Sequence, residues 1–241
     1  LFQESGLLGG KLVLHTSVCT PKNIGKANET TAKEQAILEA EALIVKKLKE
    51  GYSESIEQAK EDEVILPMLA KNYEDEKHKI DWNNCYIQPK LDGMRCLAFI
   101  DGKGGVKLMS RQGREITTTP HIIKDLSTIT DVVILDGELY VHGGNFQENM
   151  RLIKKFRKGE TDVKVKYHVY DLISKDPFWN RKVRKYIKGL FSCEEVSTYI
   201  CNNEQTLRKW HSNNIEAGYE GSILRWGAEG YKINGRSSNL L

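Results

Sequence analysis

Residues 88–96 read QPKLDGMRC, with Tyr86-Ile87 before them and Cys96-Leu97-Ala98-Phe99-Ile100 overlapping and following. Asp-Gly between two apolar, alternating runs is a hairpin signal. The reading predicts strands at 85–91 and 94–101, with Lys90 ending the first and Arg95 opening the second. A hairpin uses the Asp-Gly but has no use for a lysine two residues before it. Working outward, further strands are predicted at 105–110, 132–141, 165–172 and 221–226. Helices are predicted near 146–158, 178–188 and 204–217, each followed by a glycine suited to a C-terminal cap (Gly159, Gly189, Gly218). Neighbouring strands joined by Asp-Gly and Gly-Gly turns, with helices between them, specify an antiparallel-rich α+β domain rather than a doubly wound one.

The N-terminal part reads differently. Leu12 to Thr16 is a predicted strand, and Thr31 with Glu34 forms a capping box for a helix running to about Glu50, where Gly51 stops it. A second, acidic helical stretch is expected from Ser53 to about Glu63, and Pro67 marks a boundary. Residues 1–60 are therefore expected to form a small module with a linker, and residues 61–241 the main domain. GLLGGK near the start fails the spacing of a phosphate-binding loop and lacks the Ser or Thr after Lys11, so a turn is expected there.

Composition excludes some classes. The chain has 241 residues, 36 basic against 33 acidic, for a net charge of +3, so the total alone says little about nucleic acid. No apolar run approaches membrane-spanning length, and the start carries no signal-type core. The five cysteines form no C-x-x-C pair and no zinc-like cluster with histidine, which reads as free thiols in a reducing compartment. Charge is unevenly spread. Arg151, Lys154, Lys155 and Lys158 recur at helical spacing, as do Arg181, Arg184, Lys185 and Lys188. Two such stripes with apolar backs could track a phosphate backbone or could simply be solvated helix faces.

The lysine of the opening stretch has company downstream: SRQGRE (110–115), LDGELY (135–140), YHVYDLI (167–173), EGSILR (220–225) and YKINGRSSNLL (231–241). In order and approximate spacing this series resembles that of the ATP-dependent DNA ligases, within the covalent nucleotidyltransferases. Its wording looks most like phage and large-DNA-virus ligases. The likeness covers about residues 64–241 and implies a nucleotidyltransferase (adenylation) domain.

The resemblance implies that Lys90 attacks the α-phosphate of ATP, releases pyrophosphate and carries AMP covalently. A free lysine, with a pKa of about 10.4, is only about one-thousandth neutral at pH 7, so such a site must favour the neutral amine. By the same likeness Asp92 orients the amine and touches the ribose, and Arg95 grips ribose or DNA phosphate. Gln88 reads the adenine amino group, and Tyr170, which alternates with His168, stacks on adenine. Glu138 contacts ribose hydroxyls or a metal, while Glu220 is the better candidate for Mg²⁺, a hard cation that prefers oxygen. Arg111 and Lys232 contact phosphates, and Arg111 and Arg236 contact DNA; Lys154, Lys155 and Lys158 are candidate DNA contacts from the first basic stripe rather than from the likeness. The implied partner is nicked double-stranded DNA, handled by a monomer away from membranes, in a host cytoplasm or, for a eukaryotic virus, a nucleus.

The N-terminal stretch looks like a small module fused to some viral and phage ligases, distantly reminiscent of WGR-type domains. A DNA-contacting role and a plain packing role both remain open for it. The family pattern continues past GRS-x-x-LL with a pair of lysines and then an oligonucleotide-binding domain, and this chain stops at Leu240-Leu241. The expectation is that these residues bind ATP yet self-adenylate poorly and seal few nicks, and that roughly 100 further residues forming one small barrel restore both. Two other readings stay in play: an RNA ligase or capping-type enzyme sharing K-x-D-G, and a catalytically idle DNA-binding module.

Overall fold

The computed structural model describes residues 1–7, 9–49, 52, 55 and 64–241. The chain divides into two compact units, Leu1–Glu63 and Val64–Leu241. In the first, β1 (Phe2–Ser5) pairs antiparallel with β2 (Val13–Thr16). Helix α1 (Ala32–Lys49) starts where the sequence predicts. Thr31 N–H donates to Glu34 Oε2 at 2.8 Å and Glu34 N–H donates to Thr31 Oγ1 at 3.3 Å, both halves of the capping box. The predicted stop at Gly51 lies outside the described residues, as does the acidic stretch 53–63 apart from Ser55. Gln35 is the one buried residue among the described positions 1–48.

In the second unit, β3 (Leu69–Ala70) and the short α2 (Tyr73–Glu76) precede β4 (Cys85–Lys90), β5 (Met94–Asp101) and β6 (Val106–Ser110). Helix α3 (Pro120–Leu126), β7 (Val132–Tyr140), α4 (Phe146–Ile153), α5 (Thr161–Lys164) and β8 (Lys166–Leu172) follow. Then come α6 (Arg184–Ile187), β9 (Cys193–Glu195), β10 (Tyr199–Ile200), α7 (Glu204–Glu216), β11 (Gly221–Trp226) and β12 (Arg236–Ser237). Each strand predicted from residue 85 onward is present, within a residue or so of its expected ends. No helix among the described residues is long and apolar enough to cross a membrane.

The strands fall into two main sheets. One has the order β6-β5-β7-β8-β9, antiparallel except for β8 with β9. Strand periodicity gives it two faces. Cys96, Ala98, Ile100, Leu135, Leu139, Tyr167 and Val169 enter a core closed by Ile122 and Leu126 of α3 and Leu152 and Ile153 of α4. Arg95, Glu138 and Tyr170 belong to the opposite face. The other sheet, β10-β4-β11, has its own core of Cys85, Ile87, Cys201 and Leu224, packed by Leu207 and Trp210 of α7. Pro89 is tolerated in its middle strand because β10 pairs only with Tyr86 and Ile87, leaving residues 88–90 open on that side.

The hairpin predicted at Asp92-Gly93 does not form: β4 pairs with β11 and β5 with β6 and β7, so the chain crosses between sheets here. Gly93 has no left-handed backbone. It is needed for close approach, since a Cβ there would lie 2.3 Å from the Leu139 carbonyl oxygen. The same local signal serves a crossing as well as a turn.

Both basic stripes are also corrected. Helix α4 ends at Ile153, with Lys154 as its C-cap. The Arg157 guanidinium binds the Arg151 carbonyl, and Thr161 Oγ1 donates to the Leu152 carbonyl at 2.9 Å. These bonds satisfy carbonyls of the last helical turn and stop the helix. Lys155 and Lys158 therefore lie beyond it, exposed, and Phe156 is 40% exposed rather than turned inward. In the second stripe α6 spans only Arg184–Ile187, and Arg181 is buried, forked onto Asp171. Neither set of cations forms one helical face.

Candidate active site

A cavity of about 220 Å³ is lined by residues of both main sheets and of the crossing between them. From β4 and the crossing come Gln88, Lys90 and Asp92. The five-stranded sheet supplies Arg95, Glu138 and Tyr170, Glu220 precedes β11, and Arg111 follows β6. Lys232 and Arg236 do not line it; Lys232 is exposed, and the Arg236 guanidinium binds the Ala70 carbonyl.

Antiparallel pairing with β11 sets Lys90 opposite Gly221, and Glu220 N–H donates to the Lys90 carbonyl at 3.0 Å. The Lys90 ammonium makes an ion pair with the Glu220 carboxylate, both side chains a little under half exposed (43% and 45%). A pair this wet contributes little to stability. The backbone beside it is pinned from below: the buried Asn149 of α4 donates through Nδ2 to the Asp92 carbonyl at 3.3 Å and accepts from Val141 N–H at 2.7 Å.

Tyr170 owes its position to a bulge. Asp136 pairs with Asp171 and Gly137 with Val169, which leaves Tyr170 as an extra residue on β8. Gly137 permits the close contact, since a Cβ there would sit 2.4 Å from the His168 carbonyl oxygen. The Tyr170 hydroxyl lies 3.2 Å from the Gly137 carbonyl and 3.3 Å from Glu138 Oε2. The guanidinium carbons of Arg95 and Arg225 lie 5.1 and 5.4 Å from its ring centroid. Burial pushes the Glu138 carboxyl up to about 8; Arg95 opposes the rise, and Asp136 and Glu220 add to it. Glu138 is therefore mostly protonated at neutral pH.

Arg95 is largely committed to the fold. Its Nε and Nη2 donate to Asp136 at 2.8 and 2.6 Å, and Nη2 also to the Met68 carbonyl at 3.0 Å. Tyr231 OH donates to the same Asp136 at 2.6 Å. Only Nη1 of Arg95 is left for a ligand. Gln88, 2% exposed, bonds Tyr170, Thr198 and Arg225, and Arg225 continues to Asp171. Among the described residues Arg111 is the cavity cation without an ion-pair partner.

Sequence reasoning missed the buried supports Asp136, Asp171, Arg225, Tyr231 and Asn149, and the exposed Thr198 that holds Gln88. Asp136, Asp171 and Arg225 lie inside the runs LDGELY, YHVYDLI and EGSILR. A charged residue in an otherwise apolar strand was the available signal. Asn149 and Thr198 carried none.

No group of three or more His, Cys, Asp or Glu side chains able to hold a metal occurs among the described residues. Glu138 and Glu220 nevertheless line one cavity, and the Glu220 charge adds to the rise at Glu138. That donor set suits a Mg²⁺ whose shell is completed by water and substrate phosphate, with the Glu138 proton released on binding.

A cleft between two antiparallel-rich sheets, with a lysine, three carboxyl groups and an arginine (without an ion-pair partner among the described residues) on its wall, has the chemistry to take an anionic substrate. A family model described as ATP dependent DNA ligase domain matches residues 67–241, and the chain belongs to that family. A DNA ligase of African swine fever virus (isolate Tick/South Africa/Pretoriuskop Pr4/1996) is 27% identical over 246 residues, covering 93% of this chain and 55% of that protein. This chain thus spans about half the length of its viral relative, and the match reaches into the N-terminal unit, ahead of the family model. Among solved structures, a Lig E DNA ligase superposes with a TM-score of 0.60 at 21% identity, covering 73% of this chain and 67% of that one. Chlorella virus DNA ligase-adenylate gives 0.56 at 22%, covering 74% and 66%.

Proposed function

We propose that the protein is the nucleotidyltransferase part of an ATP-dependent DNA ligase that seals 5′-phosphate/3′-hydroxyl nicks in duplex DNA. The observation that supports this reading best is the meeting of Lys90, Asp92, Glu138, Tyr170 and Glu220 on one small cavity although they span much of the chain. The volume is below the usual range of about 300–1,000 Å³ for ligand sites. We read it as the nucleoside pocket, with the triphosphate extending past Lys90 towards Arg111.

In this reading the neutral Lys90 amine attacks the α-phosphorus, a P–N bond forms, and the bond to pyrophosphate breaks. The 5′-phosphate of the nick then takes AMP from the lysine, and the 3′-hydroxyl displaces AMP to close the backbone. Glu220 holds the amine towards the α-phosphate and is the nearest group to take its proton. Tyr170 offers a ring to the base, Asp92 orients ribose and amine, and Arg111 balances phosphate charge. Glu138 and Glu220 would hold Mg²⁺, which supplies charge neutralisation at the phosphates when bound. Lys232, Arg236 and the lysines after α4 are assigned to phosphate contacts further out. The N-terminal unit is assigned to DNA contact, and the enzyme to a monomer.

The test is covalent labelling with α-labelled ATP or GTP and Mg²⁺. Label should come from ATP and disappear in Lys90→Arg, because a guanidinium keeps its proton and offers no attacking lone pair. Label from GTP alone would make it a capping-type enzyme, and label from neither an idle module.

A further inference from the structure

A glutamine carboxamide carries two N–H donors and an oxygen with two lone pairs. Three of these four are already used at Gln88. Its Nε2 donates to the Tyr170 carbonyl at 3.1 Å and to Thr198 Oγ1 at 2.8 Å, and its Oε1 accepts from Arg225 Nε at 2.7 Å. The Thr198 hydroxyl would serve either orientation of the amide. The other two partners would not: a backbone carbonyl only accepts and a guanidinium only donates. A flipped amide would set oxygen against oxygen and N–H against N–H.

Arg225 is itself fixed. Its Nη1 donates to Asp171 Oδ2 at 2.6 Å, and Arg181 forks the same carboxylate at 2.7 and 3.1 Å. Gln88, Arg225 and Asp171 are 2%, 3% and 0% exposed, so the bonds among them are shielded from bulk solvent.

We propose that Arg225 is a specificity-determining positioning residue: it locks Gln88 so that the carboxamide has one acceptor lone pair, and no donor, left for a bound purine. The inference rests on the cavity being the ATP site, with Gln88 facing the C6 substituent. A free glutamine cannot tell a 6-amino from a 6-oxo purine, because it can turn either end towards the base. A locked one accepts from the amino group and meets a 6-oxo group with lone pair against lone pair, leaving both unsatisfied. Selectivity for adenine then comes from a residue that does not touch the base.

The test is equilibrium binding to the intact protein, by calorimetry in EDTA so that no covalent step follows. The ligands are ATP, purine riboside 5′-triphosphate (hydrogen at C6) and inosine 5′-triphosphate (6-oxo). The expected order is ATP tightest, the C6-hydrogen analogue next and inosine triphosphate weakest. Inosine triphosphate binding as well as the C6-hydrogen analogue overturns the lock, and this comparison needs no variant. In Arg225→Met the ratio of inosine triphosphate Kd to ATP Kd should fall by about tenfold or more. General loosening of the site weakens both ligands together, so an unchanged ratio overturns the assignment to Arg225. Failure of every triphosphate to bind the wild-type protein overturns instead the reading of the cavity as a nucleotide site, and the inference with it.

Discussion

At the scale of single residues the site separates groups that face the cavity from groups that hold them. Glu138 is the sharpest case, a carboxyl pushed up to about 8 by burial. Its folded value lies above its unfolded one, so the folded state binds the extra proton between roughly pH 4.5 and 8. Its stability contribution is intact below that window and lost as pH rises through it. Glu138→Gln removes the ionisable group and should make the variant more stable than wild type at pH 8.5 by a few kcal/mol, with little difference at pH 4. Thermal unfolding at the two pH values checks this, and parallel curves would show that Glu138 ionises normally. Of the residues named from sequence, Lys90, Glu138, Tyr170 and Glu220 are legible through the motif series, and all four line one cavity, whereas the local context of Tyr170 alone does not separate a ligand contact from core. Arg95 carried no mark separating a ligand contact from a buried ion pair, since both use the same guanidinium. Its fork onto Asp136 depends on a strand register that no local pattern encodes.

At the scale of elements, strand positions were legible and pairings were not. Alternation of apolar residues fixes where β4, β5 and β7 run, but the partner of β4 lies far downstream. The Asp-Gly step therefore looked like a hairpin and is a crossing. Gly93 is where this distinction can be measured. In a turn, alanine would cost a fraction of a kcal/mol. Against the Leu139 carbonyl, Gly93→Ala should cost about 3 kcal/mol through overpacking, read by urea denaturation. A loss below about 0.5 kcal/mol would mean that the contact relaxes. Helix ends misled for a similar reason. The run from Arg151 to Lys158 keeps helical spacing, yet Arg157 and Thr161 close the helix by taking its terminal carbonyls. Lys154, Lys155 and Lys158 remain exposed. Replacing all three by Glu should weaken nicked-DNA binding and flatten its salt dependence by about one unit of slope per lost phosphate contact. Binding isotherms at several salt concentrations decide it, and an unchanged slope would return these lysines to plain surface charge.

At the scale of the whole molecule the two units differ in what can hold them. The unit from Val64 onward carries two main hydrophobic cores and two smaller clusters, whereas the described residues 1–48 bury no apolar side chain. Residues 64–241 alone should therefore unfold cooperatively within a few degrees of the full chain, and residues 1–63 alone should show no cooperative transition. Calorimetry of both pieces is the measurement, and a sharp melt of the N-terminal piece would refute it. Nicked-DNA affinity of the shorter piece tests the DNA-contacting role assigned to the N-terminal unit. The sheet that carries Lys90 has a further consequence, for synthesis. Lys90 meets Glu220 across 130 positions of chain, and β4 has no sheet partner until β10 and β11 exist. The five-stranded sheet can assemble on a ribosome while Lys90 is still attached to an unpaired strand. A nascent chain would thus acquire its larger core early and the cavity beside Lys90 only once β11 has emerged, so that a fragment ending before Gly221 would lack the cavity that the proposed function assigns to nucleotide.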